Sequence, residues 1–176
     1  MKQGTVYWIT GLAGAGKTTI GKIFYGELKQ KKANVVLFDG DTLRDVFEHT
    51  GYSYQDRLNI VKRHLRLADM LVKQEIDIVF CTIAMFDEIR EWNRSHFENY
   101  KEVYLDVPMA VLRKRDQKNL YSSAESGKIK DVVGVDITAE KPKNPDMTIL
   151  NDGSKTPEKI VQEIWDTVCV KPFDEI

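Results

Sequence analysis

The sequence predicts an α/β fold in which a parallel sheet lies between two layers of helices. Strand-like and helix-like runs alternate along the 176 residues. The run at 76–83 is apolar apart from Asp77 and Thr82, as in a strand that is buried on both faces. A composition of 42% hydrophobic and 30% charged residues supplies a substantial core. We therefore expect a single domain over 1–176.

The predicted elements follow one another in a regular order. β-Branched and aromatic residues at 5–10 indicate the first strand, and Ile20, Phe24 and Leu28 share one face of a helix at 17–31. Residues 113–143 are polar and weakly periodic, and we expect them to contain a mobile lid. The other predicted strands are 34–38, 76–83, 102–107 and 147–150, and the other predicted helices are 54–74, 87–97, one opening at Pro108 and one capped by Thr156-Pro157.

Charge and cysteine content narrow the function classes. The formal net charge is −1, so the sequence has no bulk electrostatic attraction for nucleic acid or an anionic membrane. The apolar run at 5–10 is too short to span a bilayer. Cys81 and Cys169 are far apart and form neither a disulfide framework nor a zinc motif. These features favour a cytoplasmic protein with reduced thiols that acts on a small molecule.

A phosphate-binding motif follows the first strand. Residues 11–18 read GLAGAGKT and match G-x-x-x-x-G-K-[ST] in full, between a predicted strand and a predicted helix. Backbone N–H groups of such a loop cradle phosphate oxygens, while Lys17 reaches the β- and γ-phosphates and Thr18 holds Mg²⁺. The motif predicts a nucleoside triphosphate with Mg²⁺ and leaves the acceptor open. The residues predicted to bind ATP here are Gly11, Ala13, Gly14, Ala15, Gly16, Lys17, Thr18 and Thr19.

Small size and the late polar segment favour a small-molecule kinase. No N-K-x-D motif follows a late strand, and the D-x-x-G pattern at 131–134 comes too late for a GTPase switch. A lid that closes over the phosphates would keep water from competing with an acceptor hydroxyl. A non-catalytic nucleotide sensor or GTPase switch is the alternative from another class.

Two carboxylates follow the second strand, Asp39 and Asp41, and we expect that strand to lie beside the strand of the phosphate loop. A carboxylate there can orient magnesium-bound waters or accept the proton of an attacking hydroxyl. Arg44 lies one helical turn further on, and Arg57 is near the start of the long helix. A guanidinium suits two oxygens of one phosphate.

The chain resembles the adenylylsulfate (APS) kinase family over nearly its whole length. Beyond the phosphate loop, the specific segments are DGDTLR at 39–44 and RDQKNLY at 115–121, in that order. The resemblance implies a P-loop nucleotide kinase that transfers the γ-phosphoryl group of Mg·ATP to the 3′-hydroxyl of APS. It also implies a homodimer. The shorter matching segments are GYS at 51–53, DR at 56–57, GKIK at 127–130, GVD at 134–136 and NP at 144–145.

The resemblance also implies roles for individual residues. Asp41 would be the more favoured base, and Asp39 would lie near the metal with Thr18. Arg44 and Arg57 would contact the acceptor phosphate, and Arg115 would lie on the ATP side. The remaining acceptor-side positions are Tyr52, Ile83, Lys118, Leu120, Tyr121 and Val132.

The chain departs from the family on the acceptor side. The family's I-S-P-Y/H-R becomes IAMFD at 83–87, and the phenylalanine that stacks on the acceptor adenine becomes Val132. Valine has no aromatic face, and base stacking contributes about 1–3 kcal/mol. The acceptor is therefore either APS, as in sulfate assimilation, or another nucleotide. Relatives of this family phosphorylate cytidine diphosphoramidate in capsule biosynthesis, which is the second interpretation.

Overall fold

The computed structural model describes residues 2–169, and within them five parallel strands form one sheet. The strand order is β2-β3-β1-β4-β5. The ends of the predicted domain, Met1 and 170–176, lie outside the described residues. The predicted α/β fold with a parallel sheet is confirmed. The strands are β1 (Val6–Thr10), β2 (Val35–Asp39), β3 (Asp77–Thr82), β4 (Tyr100–Asp106) and β5 (Met147–Leu150).

Helices cover both faces of this sheet. Helix α1 and strand β5 have the predicted bounds, and the other predicted elements differ from the observed ones by one to a few residues. Helix α2 is absent from the sequence-based prediction and follows β2 without a connecting loop. The helices are α1 (Lys17–Lys31), α2 (Gly40–Val46), α3 (Tyr54–Val72), α4 (Asp87–His96), α5 (Met109–Arg115), α6 (Leu120–Glu125) and α7 (Pro157–Ile164). A 3₁₀ turn at Gln117–Asn119 joins α5 to α6, and a π-helical turn at Trp165–Cys169 extends α7.

Successive side chains along each strand point to opposite faces of the sheet, and this divides the hydrophobic core into two clusters. Tyr7 and Ile9 of β1 pack with α1 and α7, whereas Val6 and Trp8 pack with α3 and α4. This is the side-chain period of two that a strand imposes. Because both faces are buried, β1 and β3 are mainly apolar, as the sequence predicts for β3, and their polar residues are Thr10, Asp77 and Thr82 at the strand ends. Among residues 2–169 no helix is both long and apolar enough to cross a membrane.

The expected position of β2 beside β1 is wrong, because β3 lies between them. Strand order in a parallel sheet is set by how the helical crossovers pack, and the sequence of β2 alone does not encode it. Neighbouring strands lie about 4.8 Å apart, so the ends of β1 and β2 are separated by about twice that distance. Asp39 reaches the phosphate loop only because α1 passes over the end of β3.

Helix α1 passes close to β3 at Gly21. A Cβ added there would lie 2.1 Å from the Cys81 Sγ atom. Glycine inside a helix is about 1 kcal/mol less favourable than alanine, so its presence has a steric reason here. Cys81 is buried, and its thiol lies 3.4 Å from the carbonyl oxygen of Lys17. This contact fixes the first turns of α1, and with them the end of the phosphate loop.

We expect Gly21→Ala to lower the free energy of unfolding by about 1–3 kcal/mol, because the new methyl group overpacks a filled site. Cys81→Ala removes the sulfur atom and opens the space that this methyl group needs. The double variant should therefore be more stable than the sum of the two single changes predicts. Urea unfolding of the four proteins measures this coupling. Strict additivity would contradict the assigned contact.

Candidate active site

The phosphate loop joins β1 to α1 at the carboxyl edge of the sheet. Gly16 caps the helix with a φ of 90°, a conformation in which a side chain would be strained. A Cβ at this position would also lie 2.9 Å from the Asn151 Nδ2 atom. The open N–H groups of the first helical turn and the helix dipole favour an anion at this point. The exposed Thr19 lies on the same turn.

The side chain of Lys17 turns back towards the start of the phosphate loop. Its Nζ atom donates to the carbonyl oxygen of Leu12 at 2.8 Å. Desolvation lowers the pKa of Lys17 to about 8, against smaller opposing effects from Cys81, Asp41 and Asp39. The ammonium group is thus held beside the phosphate position with weak hydration. The Lys17 ammonium group can give up its hydrogen bond to the Leu12 carbonyl oxygen and bind phosphate oxygens instead.

Thr18 connects the phosphate loop to the end of β2. Its hydroxyl donates to Asp39 Oδ2 at 2.6 Å. The other oxygen of Asp39 accepts from the backbone N–H groups of Asp41 and Thr42, at 3.1 and 3.3 Å, and caps α2. A hydroxyl and a carboxylate so placed are ligands that suit Mg²⁺, which keeps most of its waters and phosphate ligands. Asp41, in the first turn of α2, has a carboxylate that is 79% exposed and open to a substrate.

Two guanidinium groups surround Tyr52. The Arg44 guanidinium lies 4.4 Å from the centre of the Tyr52 ring, and that of Arg57 lies 5.4 Å from it. Arg57 also donates to the carbonyl oxygens of Tyr52 and Asp131, at 2.8 and 2.6 Å. Desolvation, followed by repulsion from Arg44, lowers the pKa of Arg57. An anion bound beside both arginines would relieve that repulsion.

The segment between α5 and α6 touches both halves of the site. Lys118 Nζ donates to Asp41 Oδ2 at 3.2 Å. Arg115 donates to the carbonyl oxygens of Gly14 and Asn151, both at 3.0 Å. Asp116, Lys118 and Asn119 have left-handed φ values of 33°, 58° and 53°. The backbone turns sharply at these residues, so that Arg115 contacts the phosphate loop while Lys118 contacts Asp41.

Some residues predicted on the acceptor side lie away from open solvent. Tyr121 is buried, and its hydroxyl donates to the carbonyl oxygen of Ala13 at 2.8 Å, on the ATP side. Val132 is only 3% exposed. Leu120 and Ile83 are half-buried, and the Ile83 carbonyl oxygen accepts from the Thr10 hydroxyl at 3.0 Å. Tyr52, Asp41 and Lys118 therefore form the exposed part of the acceptor side, and the half-buried Arg44 and Arg57 lie beside Tyr52.

Asn151 is a residue that the sequence analysis missed. It follows β5 directly, and its amide nitrogen donates to the carbonyl oxygen of Ala15 at 2.9 Å. Its own backbone N–H donates to the Asp106 carbonyl oxygen at 2.9 Å. The available signal was its position, because polar residues that follow parallel strands meet at the edge where ligands bind.

The parallel sheet, the phosphate loop and the facing carboxylates define a P-loop phosphotransferase. The model of the adenylylsulphate kinase family matches residues 3–150. The chain belongs to this family.

Sequence and structure comparisons agree with this assignment. The chain is 41% identical to a cytidine diphosphoramidate kinase of Campylobacter jejuni, over 90% of this chain and 93% of that protein. It is 36% identical to an adenylyl-sulfate kinase of Pseudomonas aeruginosa, over 90% and 82% of the two chains. The structure of the Mycobacterium tuberculosis APS kinase in complex with AMPPNP and APS superposes with a TM-score of 0.86, at 27% identity, over 97% of this chain and 100% of that one.

These findings confirm that the chain is a phosphotransferase of the nucleotide kinase type. Both named relatives are kinases, and both act on nucleotides by name. The alternative of a non-catalytic sensor or GTPase switch finds no support in them.

We expect the affinity for Mg·ATP to fall about eightfold between pH 7.5 and 9. With a pKa of about 8 in the ligand-free protein, Lys17 loses its charge in this range, while bound phosphates would keep it protonated. Calorimetric titration with excess Mg²⁺ measures the dissociation constant. Lys17→Met should bind more weakly and show no such dependence. An equal pH dependence in both proteins would assign the titration to another group.

Proposed function

We propose that the chain transfers the γ-phosphoryl group of Mg·ATP to the 3′-hydroxyl of a nucleoside 5′-phosphoryl acceptor, and that this acceptor is cytidine diphosphoramidate. The observation that carries the proposal is the contrast between the two sides of the site. The phosphate loop retains every residue of its motif. The acceptor side has lost the aromatic partner at Val132, which is buried. The 41% identity to a cytidine diphosphoramidate kinase supports the same acceptor.

On the donor side, backbone N–H groups of 11–18 and the Lys17 ammonium hold the polyphosphate. Thr18 and Asp39, which share a hydrogen bond of 2.6 Å, would hold Mg²⁺ at the β- and γ-phosphates. The ion, when bound, offsets negative charge on the group being transferred. Catalysis then rests on positioning and on fixed charge, with little covalent work for the protein.

On the acceptor side, Arg44 and Arg57 would hold the 5′-phosphoryl groups while the base lies on Tyr52. Tyr52 is 51% exposed, so a base would stack on the part of its ring that the two guanidinium groups leave open. The acceptor hydroxyl would then face Asp41, which accepts its proton as the oxygen attacks the γ-phosphorus. Lys118, now paired with Asp41, would supply positive charge to the phosphates as the lid of 113–143 closes.

The size of the base favours cytidine over adenosine at this site. A purine has the larger face and loses more contact when one of two stacking rings is missing. The family's serine and proline after the third strand are Ala84 and Met85 here, which removes one polar group from the acceptor side. APS remains the second candidate, because the family as a whole is described by it.

We expect kcat/KM to be at least about tenfold higher with cytidine diphosphoramidate than with APS, a difference of about 1.4 kcal/mol that lies within the range of one lost stacking contact. An ADP-release assay with both acceptors in parallel measures it. Preference for APS would overturn the choice of acceptor. Binding of ATP without a phosphorylated product from either acceptor would overturn the proposal as a whole.

The matched control for the acceptor site compares two exposed tyrosines. Tyr52 lies close to both arginines, whereas the ring of Tyr54 lies edge-on to Phe86 at 4.9 Å. Tyr52→Leu should raise the KM of the preferred acceptor by about tenfold and leave ATP affinity unchanged. Tyr54→Leu should leave both unchanged. Equal effects from the two would remove Tyr52 as the base platform.

We expect Asp41→Asn to lower kcat by at least about 100-fold, because the amide cannot accept the hydroxyl proton. The affinity for Mg·ATP should change little, since the contacts of Thr18 and Asp39 remain. Asp45→Asn makes the same change at an exposed position one turn further along the same helix and serves as the control. Turnover of Asp41→Asn near that of the control would remove Asp41 as the base.

A further inference from the structure

The outer side of the phosphate loop is held by side chains from three other parts of the chain. The carbonyl oxygen of Ala13 accepts from the Tyr121 hydroxyl at 2.8 Å, and that of Ala15 accepts from Asn151 Nδ2 at 2.9 Å. Between them, the Gly14 carbonyl oxygen accepts from Arg115 at 3.0 Å. Three consecutive carbonyl groups of the loop therefore accept hydrogen bonds from donors in α5, in α6 and after β5.

Fixing these carbonyl groups also fixes the N–H groups of the same peptide planes. In a trans peptide, the C=O of one residue and the N–H of the next point in opposite directions. The Tyr121 hydroxyl thus sets the direction of the Gly14 N–H, and the Asn151 amide sets that of the Gly16 N–H. Glycine allows many backbone conformations, so a loop with Gly11, Gly14 and Gly16 needs such external fixation to keep one of them.

Both donors are themselves held firmly. Tyr121 is 1% exposed, and burial raises its pKa to about 12, so that the phenol keeps its proton and remains a donor. Its backbone N–H and that of Ser122 donate to Asp116 Oδ1, at 2.9 and 3.2 Å. Asn151 is 9% exposed, and its backbone carbonyl oxygen accepts from Arg115 at 3.0 Å.

We propose that Tyr121 and Asn151 are positioning residues for phosphoryl transfer, which act on the donor side by orienting the N–H groups of Gly14 and Gly16 towards the phosphates of ATP. The inference rests on the proposed function for the reaction but concerns the ATP site alone. It gives Tyr121 a different task from the acceptor contact that the family resemblance implies. It also links the lid to the ATP site, because α6 carries Tyr121 and the turn before it carries Lys118.

Tyr121→Phe tests this inference, since it removes one hydroxyl and keeps the buried ring. Tyr100→Phe is the matched control: Tyr100 is also buried, its hydroxyl accepts from Asn93 at 3.4 Å, and it begins β4 at the opposite edge of the sheet. We expect Tyr121→Phe to weaken binding of Mg·AMPPNP about fivefold, the effect of one lost hydrogen bond. Tyr100→Phe should leave the binding unchanged.

Kinetics separate positioning from a general loss of stability. Tyr121→Phe should raise the KM for ATP and lower kcat, each by about fivefold, with the KM of the acceptor unchanged. Asn151→Ala should act in the same direction. If both variants bind Mg·AMPPNP as the native protein does, or if Tyr121→Phe alters only the KM of the acceptor, the inference is wrong.

The calorimetric arm needs no acceptor and is therefore independent of the proposed reaction. Weaker Mg·AMPPNP binding by Tyr121→Phe would uphold the inference even if neither cytidine diphosphoramidate nor APS were phosphorylated. Conversely, normal turnover of one acceptor with unchanged nucleotide binding in both variants would uphold the proposed function and overturn the inference. Thermal unfolding of each variant verifies that it is folded at the assay temperature.

Discussion

The hydrogen bond between Thr18 and Asp39 joins the two halves of the site, and much of the surrounding structure serves to make it possible. Thr18 lies at the start of α1, after β1, and Asp39 ends β2; these two strands are not neighbours, since β3 lies between them. Helix α1 spans that gap by passing over β3 at Gly21, where no larger residue fits against Cys81. Asp39 completes the connection because it also caps α2 and so fixes Asp41. The phosphate loop and the carboxylates at the end of β2 are thus brought together by the packing of α1 against β3.

Local sequence patterns account for the parts that need only local information. The phosphate motif, helix α1 and strand β5 are predicted with their observed bounds, because glycine spacing and apolar periodicity are properties of short segments. The short helix α2 depends on the side-chain cap that Asp39 supplies, and a seven-residue helix has too little periodicity to be recognised. The position of β2 in the sheet depends on crossover packing. Neither is encoded in neighbouring residues alone.

The same distinction applies to the site. The phosphate motif predicts Lys17 and Thr18, and the family resemblance adds Asp39, whose carboxylate accepts from the Thr18 hydroxyl. Arg44, Arg57 and Tyr52 lie together in the structure. The sequence did not predict which of the candidate site residues are buried. Tyr121 and Val132 belong to a polar segment, yet each is almost fully enclosed. Asn151 lies more than a hundred residues from the loop that it contacts, with no motif of its own. Such long-range contacts require the fold.

The thiol beneath α1 has a chemical consequence for the whole enzyme. Cys81 is enclosed by the helix, and burial raises its pKa to about 12, so the reactive thiolate form is nearly absent at neutral pH. Oxidants and alkylating reagents attack thiolates that they can reach, and this one offers neither charge nor access. A sulfur atom adjoining the nucleotide-binding turn therefore behaves as an inert packing atom. Oxidants should therefore not change the turnover rate through Cys81, although its sulfur atom lies next to the backbone of Lys17.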